Sequence, residues 1–508
     1  MEMRLIKENL MMEQPLPPTS GQAVVEGEMN LPGGLREEAR VLHAGAMAAV
    51  EKIEPMQDRA SVMGRVTFHA LFTQGDPTRV QALEATADFT HLTDLPGAQP
   101  RSRCRAVCTV EHVEASAAGG RLTMKAVLRL QLSGVNAQPM EVVTGVADVE
   151  NVQCRTQVAE LRRTVASGDG ETLLREEFAL PDELRIRETF YATAQSRITG
   201  VTGGYGRAGV SGQISLEAVH GSDLPGHPVV ITRHTLPFEH PVDMVGEEGE
   251  ELQASVWVKD VAAASQETAP GERTLRAEVL LGMKGWADRQ EKVTLLTDAY
   301  TISGDVLCPS AQGVCLKTGE SSFRAAESGK TLLLLPGGSP AVKQVLCAFA
   351  TPVMAGHEQM GGRVAVQGVM EVTLLYMTDE DPAPVSVSLE EPFRMTFTAQ
   401  CGEEDEIALE VQDVDAVAVT GDRVEMKYVM HLSSTGVRTA QARPVTDVST
   451  AQAPMPDSSI VLYFVQPGES LWDIAKRYRV PVGEIQDLNP ELKGEPLPGQ
   501  GIVVWRRA

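Results

Sequence analysis

Three sets of landmarks recur in the same order before residue 450, and they commit most of this chain to one repeated fold. Leu31-Pro32, Leu180-Pro181 and Leu335-Pro336 each open a set. A glycine leading into alternating apolar residues follows: Gly64-Arg65-Val66-Thr67-Phe68, Gly212-Gln213-Ile214-Ser215-Leu216 and Gly368-Val369-Met370-Glu371-Val372. The Leu-to-Gly separations are 33, 32 and 33 residues. A later apolar run starts at Leu122, Leu275 and Val424, which lie 91, 95 and 89 residues after the same leucines. Val, Thr, Leu and Ile alternate at period two with Gly, Asp and Pro between runs, so each unit reads as mainly β. At about 150 residues a unit carries its own core and has no need to stack as a solenoid. The expected divisions are an N-terminal segment 1–21, β-rich repeats at 22–165, 171–320 and 322–447, a linker 448–458 and a small module 459–508. The stretch between each Leu-Pro and its glycine reads as helix-compatible or mixed, and the three glycines are expected at the start of equivalent strands.

The final fifty residues follow a different pattern. Val461, Tyr463 and Val465 alternate as a half-buried strand, which Pro467-Gly468 breaks. Ser470 is placed to cap a helix, with Asp473 three residues on at its positive start. Leu471, Ile474, Ala475 and Tyr478 form one helical stripe. Val482, Ile485 and Leu488 give a second short helix, ended by Asn489 and Pro490. Ile502–Trp505 closes a βααβ unit small enough to need all four elements for its core.

Charge separates the two regions. The chain carries a formal net charge of −24, whereas residues 459–508 hold six basic and six acidic side chains. The acidic excess therefore lies wholly in the repeats, where it repels phosphate backbones and anionic headgroups; nucleic-acid binding is not expected. No apolar run is long enough for a transmembrane helix. The first twenty residues lack the layout of a signal peptide, so a cytoplasmic location is the expectation. Seven scattered cysteines, among them Cys104 and Cys108, show no paired zinc spacing, and most fit reduced, buried thiols.

Candidate catalytic motifs resolve into structural ones. Gly204-Tyr205-Gly206-Arg207-Ala208-Gly209 matches G-x-G-x-x-G, but alternating residues follow it where a dinucleotide site needs a helix; an interstrand turn is expected. Gly329-Lys330-Thr331 lacks the earlier glycine of a phosphate loop. His220, His227, His234 and His240 read as loop and strand-face residues rather than metal ligands. No nucleophile elbow or zincin pair is present, so neither an enzyme nor a cofactor is expected.

The order and spacing of the last fifty residues resemble a LysM domain. That resemblance implies a groove for N-acetylglucosamine polymers between the first strand–helix loop and the second helix–strand loop. Carried over by position, it implicates Pro467, Gly468, Glu469, Ser470, Leu471, Asn489, Pro490 and Leu492. The family more often has Asp where Glu469 stands. Trp472, also a candidate binding residue, reads either as packing or as a ligand or partner contact.

Large β-rich repeats, a polar linker and one LysM together resemble the SPOCS-domain proteins of endospore-forming bacteria, of the SpoVID and SipL types. The resemblance implies a non-enzymatic adaptor for spore coat assembly in the mother-cell cytoplasm, at the forespore surface. Implied partners are a SpoIVA-like coat morphogenetic ATPase, other coat proteins, and an N-acetylglucosamine-containing glycan or lipid-linked wall precursor. The alternatives are a peptidoglycan- or chitin-binding cell-wall protein and a phage or injection-machine LysM adaptor.

Overall fold

The computed structural model describes residues 3–32, 39–149, 151–204, 206–249, 251–269, 272–398, 401–402, 405–452, 459–492 and 494–506. Period-two alternation becomes strand nearly everywhere. The first unit contains β1 (Arg4–Asn30), β2 (Ala39–Met56), β3 (Arg59–Gln74), β4 (Asp76–Asp94), β5 (Arg103–Ala118) and β6 (Arg121–Ala147). The second contains β7 (Val152–Leu180), β8 (Ile186–Gly204), β9 (Arg207–Leu224), β10 (His227–Asp243), the short β11 (Val245–Gly246), β12 (Glu251–Ala269) and β13 (Glu272–Thr301). After β14 (Val306–Ala311), the third runs through β15 (Val314–Leu334), β16 (Gln344–Gln359), β17 (Val364–Met377), β18 (Val385–Phe397), β19 (Glu406–Thr420) and β20 (Arg423–Ala442). Next come β21 (Val445–Ala451), β22 (Ser459–Phe464), the helices α1 (Leu471–Tyr478) and α2 (Val482–Leu488), and β23 (Gly501–Arg506).

The same antiparallel pairing occurs three times. With the two-residue β11 set aside, which pairs with β7, the long first strand of each unit pairs with the sixth, which pairs with the fifth: β1-β6-β5, β7-β13-β12 and β15-β20-β19. The second to fourth strands form another sheet: β2-β3-β4, β8-β9-β10 and β16-β17-β18. Each sheet pair encloses its own apolar core, with Phe68 and Leu128 in the first, Ile214 and Leu281 in the second, and Leu374 and Met426 in the third.

The sequence landmarks fall at matching points. Each Leu-Pro marks the end of a first strand, and Leu122, Leu275 and Val424 lie near the start of the sixth. The glycines do not begin strands. Gly64, Gly212 and Gly368 lie inside β3, β9 and β17, each opposite a bulge in the preceding strand and a phenylalanine in the next: Phe89, Phe238 and Phe393. The bulge presses a carbonyl of Ala49, Arg197 or Val353 into the space that a Cβ would occupy. Glycine is therefore a requirement of close backbone approach.

Two further expectations change. The segments after Leu-Pro are strands β2, β8 and β16, with only a 3-10 turn at Asp182–Leu184. Strand β1 crosses the division expected at residue 22, and β7 crosses that at 171. The expected linker overlaps β21 up to Ala451; its residues 453–458 lie outside the described residues. Gly204 and Arg207 flank a β8–β9 turn with Gly206 at φ +79°, while Tyr205 lies outside the described residues. Among the described residues no helix is long and apolar enough to cross a membrane.

Two junctions join the units. At one, Leu71, Val219 and Leu375 meet around Tyr191 and Cys347, each unit contributing its third strand. His43 stacks on Phe349 at 3.8 Å between centroids, and His69 on Tyr191 at 4.0 Å, so both rings bridge units. At the other, Lys317 is only 1% exposed and contacts Glu13 (3.2 Å), Asp288 (3.5 Å) and Glu320 (2.6 Å). Glu13 also pairs with Arg103 and accepts from the Thr164 amide at 2.7 Å, while the Thr164 hydroxyl donates to Asp288 at 2.8 Å. Burial pulls the Lys317 ammonium down, but Glu320, Glu13 and Asp288 outweigh it and hold the group above its usual range. Flanking strands add Met12, Val142, Leu161, Leu295 and Leu316 around this network.

The histidine junction predicts acid lability. Burial pulls His69 from 6.5 down to about 3, and burial with the neighbouring His69 charge holds His43 well below its ordinary value. The unfolded chain thus binds more protons below the ordinary histidine range. Their contribution to stability is complete above pH ~6.5 and falls as the pH drops from there towards 3, by up to ~1.4 kcal/mol per pH unit for each histidine. Urea unfolding between pH 7 and pH 5 measures this slope, and His69→Gln is expected to flatten it. An unchanged slope in that variant contradicts the assignment.

Candidate functional site

The small module is built from two strands and two helices around Val465, Leu471, Ile474, Ala475, Ile485, Ile502 and Val504. Strands β22 and β23 pair antiparallel, with Tyr463 opposite Ile502. Gly468, at φ +83°, turns the chain out of β22 and into the first loop. Ser470 then caps α1 with a complete capping box: its side chain accepts from the Asp473 amide, and the Asp473 carboxylate accepts from the Ser470 amide at 2.9 Å. Such reciprocal satisfaction fixes where the helix begins, and hence the shape of the loop before it. Burial opposes ionisation of Asp473, but the Ser470 hydroxyl and amide hold its carboxyl below the usual range.

Glu469 braces the same loop. Its carboxylate accepts from the Tyr463 hydroxyl at 2.6 Å and the Gln466 amide at 3.0 Å, and pairs with Arg477. The Tyr463 hydroxyl, then the Gln466 amide, then Arg477 hold it below the ordinary carboxylate range. The loops flanking the expected groove are held side by side. The Leu471 amide donates to Glu495 at 2.7 Å, the Val465 amide to the Gln500 carbonyl at 3.0 Å, and the Gly499 amide to the Val465 carbonyl at 2.8 Å.

The candidate residues divide by what they touch. Pro467, Gly468 and Pro490 are exposed, while Glu469, Ser470, Trp472 and Leu492 are half-buried. Leu471 points into the core. Asn489 is buried and turned towards β23: its amide group donates to Ile485 and Val503 carbonyls, both at 2.7 Å, and its oxygen accepts from the Val503 amide at 2.7 Å. Trp472 donates its indole N–H to Asp298 at 2.8 Å and meets Tyr300 edge-on at 4.9 Å. The four partners Glu495, Asp298, Tyr300 and Arg479 escape a motif reading. Arg479 takes the left-handed conformation at the end of α1, φ +56°, which an arginine does not announce in sequence.

These contacts dock the module on the end of β13. Asp298 also receives Lys476 at 2.6 Å, and the Tyr300 hydroxyl donates to the Val480 carbonyl at 2.7 Å. Arg479 donates to the Thr301 carbonyl at 3.0 Å and the Gly304 carbonyl at 2.6 Å. Tyr300 belongs to the module's own core cluster, so the second unit completes a core that a fifty-residue chain fills poorly alone. Burial first, and Asp298 second, push the Tyr300 phenol far above its usual value.

The histidines expected on strand faces lie on β9 and β10. His220 and His234 both reach the Thr232 hydroxyl, at 2.8 and 2.9 Å. Among the described residues, no group of three His, Cys, Asp or Glu side chains could hold a metal ion. The seven cysteines are free thiols, and burial raises Cys108 to about 12.

Asn489 is therefore expected to act on the module's stability. Asn489→Ala removes two hydrogen bonds to Val503 of β23 and one to the Ile485 carbonyl of α2, and it leaves buried backbone groups unpaired, at a cost of about 2–4 kcal/mol. Hydrogen exchange of the α1 and β23 amides checks this. Unchanged protection would return Asn489 to a purely surface role.

Two family models match the chain. The SipL, SPOCS domain model matches residues 39–118, which span β2 to β5 of the first unit, and the LysM domain model matches 463–505. Neither a curated protein nor a solved structure matches it. The sheet pairing of the first unit and the capped βααβ module are the structures beneath those two matches, and the chain carries a SPOCS domain in its first unit and a C-terminal LysM domain.

Proposed function

We propose that this chain is a non-enzymatic scaffold for spore coat assembly. The SPOCS and LysM domains are binding domains of the kind found in spore coat and cell-wall binding proteins. The observation that carries the proposal is their union in one body, with Trp472, Lys476 and Arg479 of the LysM domain fastened to Asp298, Thr301 and Gly304 of the second unit. A module held this way presents its loops in a set direction relative to the units, as an adaptor requires. The three β units are interaction domains of the SPOCS type and supply partner surfaces. The LysM groove, lined by Pro467, Gly468, Ser470, Pro490 and Leu492, recognises the docking partner at the forespore surface. That partner is a SpoIVA-like coat morphogenetic ATPase or an N-acetylglucosamine-containing wall precursor.

Several features favour recognition by shape and backbone groups. The module is electrically neutral, so long-range capture by charge is weak. The Glu469 carboxylate is committed to Tyr463, Gln466 and Arg477, which makes it a brace for the first loop. Leu492, half-buried against the core at the groove's second wall, is the better probe.

Binding of the ATPase and of chitin oligomers, measured side by side on the full chain, tests the proposal. Leu492→Ala is expected to weaken whichever ligand binds by roughly tenfold, about 1.4 kcal/mol, with circular dichroism unchanged. Binding of the ATPase without sugar identifies a LysM domain adapted to protein. Binding of neither ligand, or release of soluble muropeptides from peptidoglycan by the purified chain, contradicts the reading.

A further inference from the structure

The LysM sheet has two faces with different fates. Val461 and Tyr463 pair with Val504 and Ile502 and face the helices, where Val504 and Ile502 are buried. The opposite face carries Ile460, Leu462 and Phe464 at period two along β22, and they are 71%, 61% and 56% exposed. Their partners across the sheet are Trp505, Val503 and Gly501. Gly501 offers no side chain, so Leu462 and Phe464 lie over it: a Cβ there would stand 3.4 Å from the Phe464 ring and 3.5 Å from Leu462. The result is a continuous apolar row along β22, a feature that single exposed apolar residues such as Leu488 and Leu497 do not create.

We propose that this face is a homodimer interface, in which Ile460, Leu462 and Phe464 of one copy pack against the same row of a second copy. A two-fold axis through Leu462 makes the row self-complementary, since Ile460 then meets Phe464 of the other copy and each Leu462 meets its equivalent. This is the geometry of an isologous contact. Charge selects the same end of the molecule. The net −24 resides in the repeats and the module is neutral, so two copies approach with least repulsion through their LysM faces. Area sets the strength. Ile460, Leu462 and Phe464 with the part-exposed Trp505 beside Ile460 offer roughly 500 Å² per copy, about 1,000 Å² in all, at the lower margin of specific interfaces. The dimer is accordingly reversible, with a dissociation constant on the order of 10 µM.

The interface does not require the groove, because the row lies on the sheet face turned away from the helices. Dimerisation gives the scaffold two grooves on one body and raises its avidity for a repetitive surface.

Sedimentation velocity of the full chain from about 1 to 100 µM tests the proposal, with Leu462→Lys, Ile460→Lys and Phe464→Ser as variants. The native chain is expected to shift from monomer to dimer across that range, and Leu462→Lys to raise the midpoint at least tenfold. All three positions are exposed in the monomer, so circular dichroism and the melting temperature should stay within error of the native chain. Raising sodium chloride from ~0.05 to ~0.5 M should strengthen the association, because salt screens repulsion between the acidic repeats. A chain that stays monomeric at 100 µM in high salt overturns the proposal. So does a dimer that persists unchanged in all three variants, or one that salt dissociates. A monomeric chain whose face captures a glycan or peptide in a Leu462-dependent manner assigns the surface to that ligand and overturns it equally.

Discussion

A single buried ammonium ties the three units together. Lys317 from the third unit faces Glu13 from the first and Asp288 from the second, with Glu320 beside it. Arg103 and Thr164 take up the remaining capacity of Glu13 and Asp288. Charges taken out of water are stabilised only when their geometry is complete, and removing one partner strands the others at a cost of about 3–5 kcal/mol. Such a network is a poor source of net stability and a good specifier of arrangement.

That constraint extends to the LysM domain. Strands β7 and β13 run on past the second unit's core, paired as far as Thr301 with Val152, and their shared end carries Asp298, Tyr300 and Thr301. These residues meet the first helix of the LysM domain and fill part of its core. Leu471 and Trp472 are neighbours on that helix: the amide of one contacts Glu495 in the loop after the second helix, and the indole of the other contacts Asp298 on the second unit. The loops of the candidate groove and the body of the protein are thus joined through one helical turn. A LysM domain on a free tether would have no such connection.

Much of this was legible in the sequence because it depends on local chemistry. Ser470 and Asp473 announce the capping box, Gly468 the turn, and the stripe from Leu471 to Tyr478 the helix. The triple landmarks were legible because each unit repeats one set of backbone demands. What was hidden depends on distant partners. Ala39–Met56 is rich in alanine and reads as helix-compatible, yet it pairs along its length with β3. Non-local pairing there overrides propensity. Pro15, Pro17 and Pro18 disguised the start of β1 as a loose segment. The strand absorbs them at a sheet edge with a register shift between Leu16 and Thr19, where missing amide donors are tolerated. Asp298 and Tyr300 lie more than 170 residues from their LysM partners, and no motif connects them.

In the proposed function, the LysM domain places a SPOCS scaffold on its target. The most direct measurement is fluorescence imaging of the full chain fused to a reporter in sporulating cells, alongside the same fusion lacking residues 459–508. A signal concentrated at the forespore surface is expected for the full chain and a diffuse mother-cell signal for the truncation, with both proteins present at equal abundance. Forespore localisation that survives the truncation would contradict it and assign targeting to the β units.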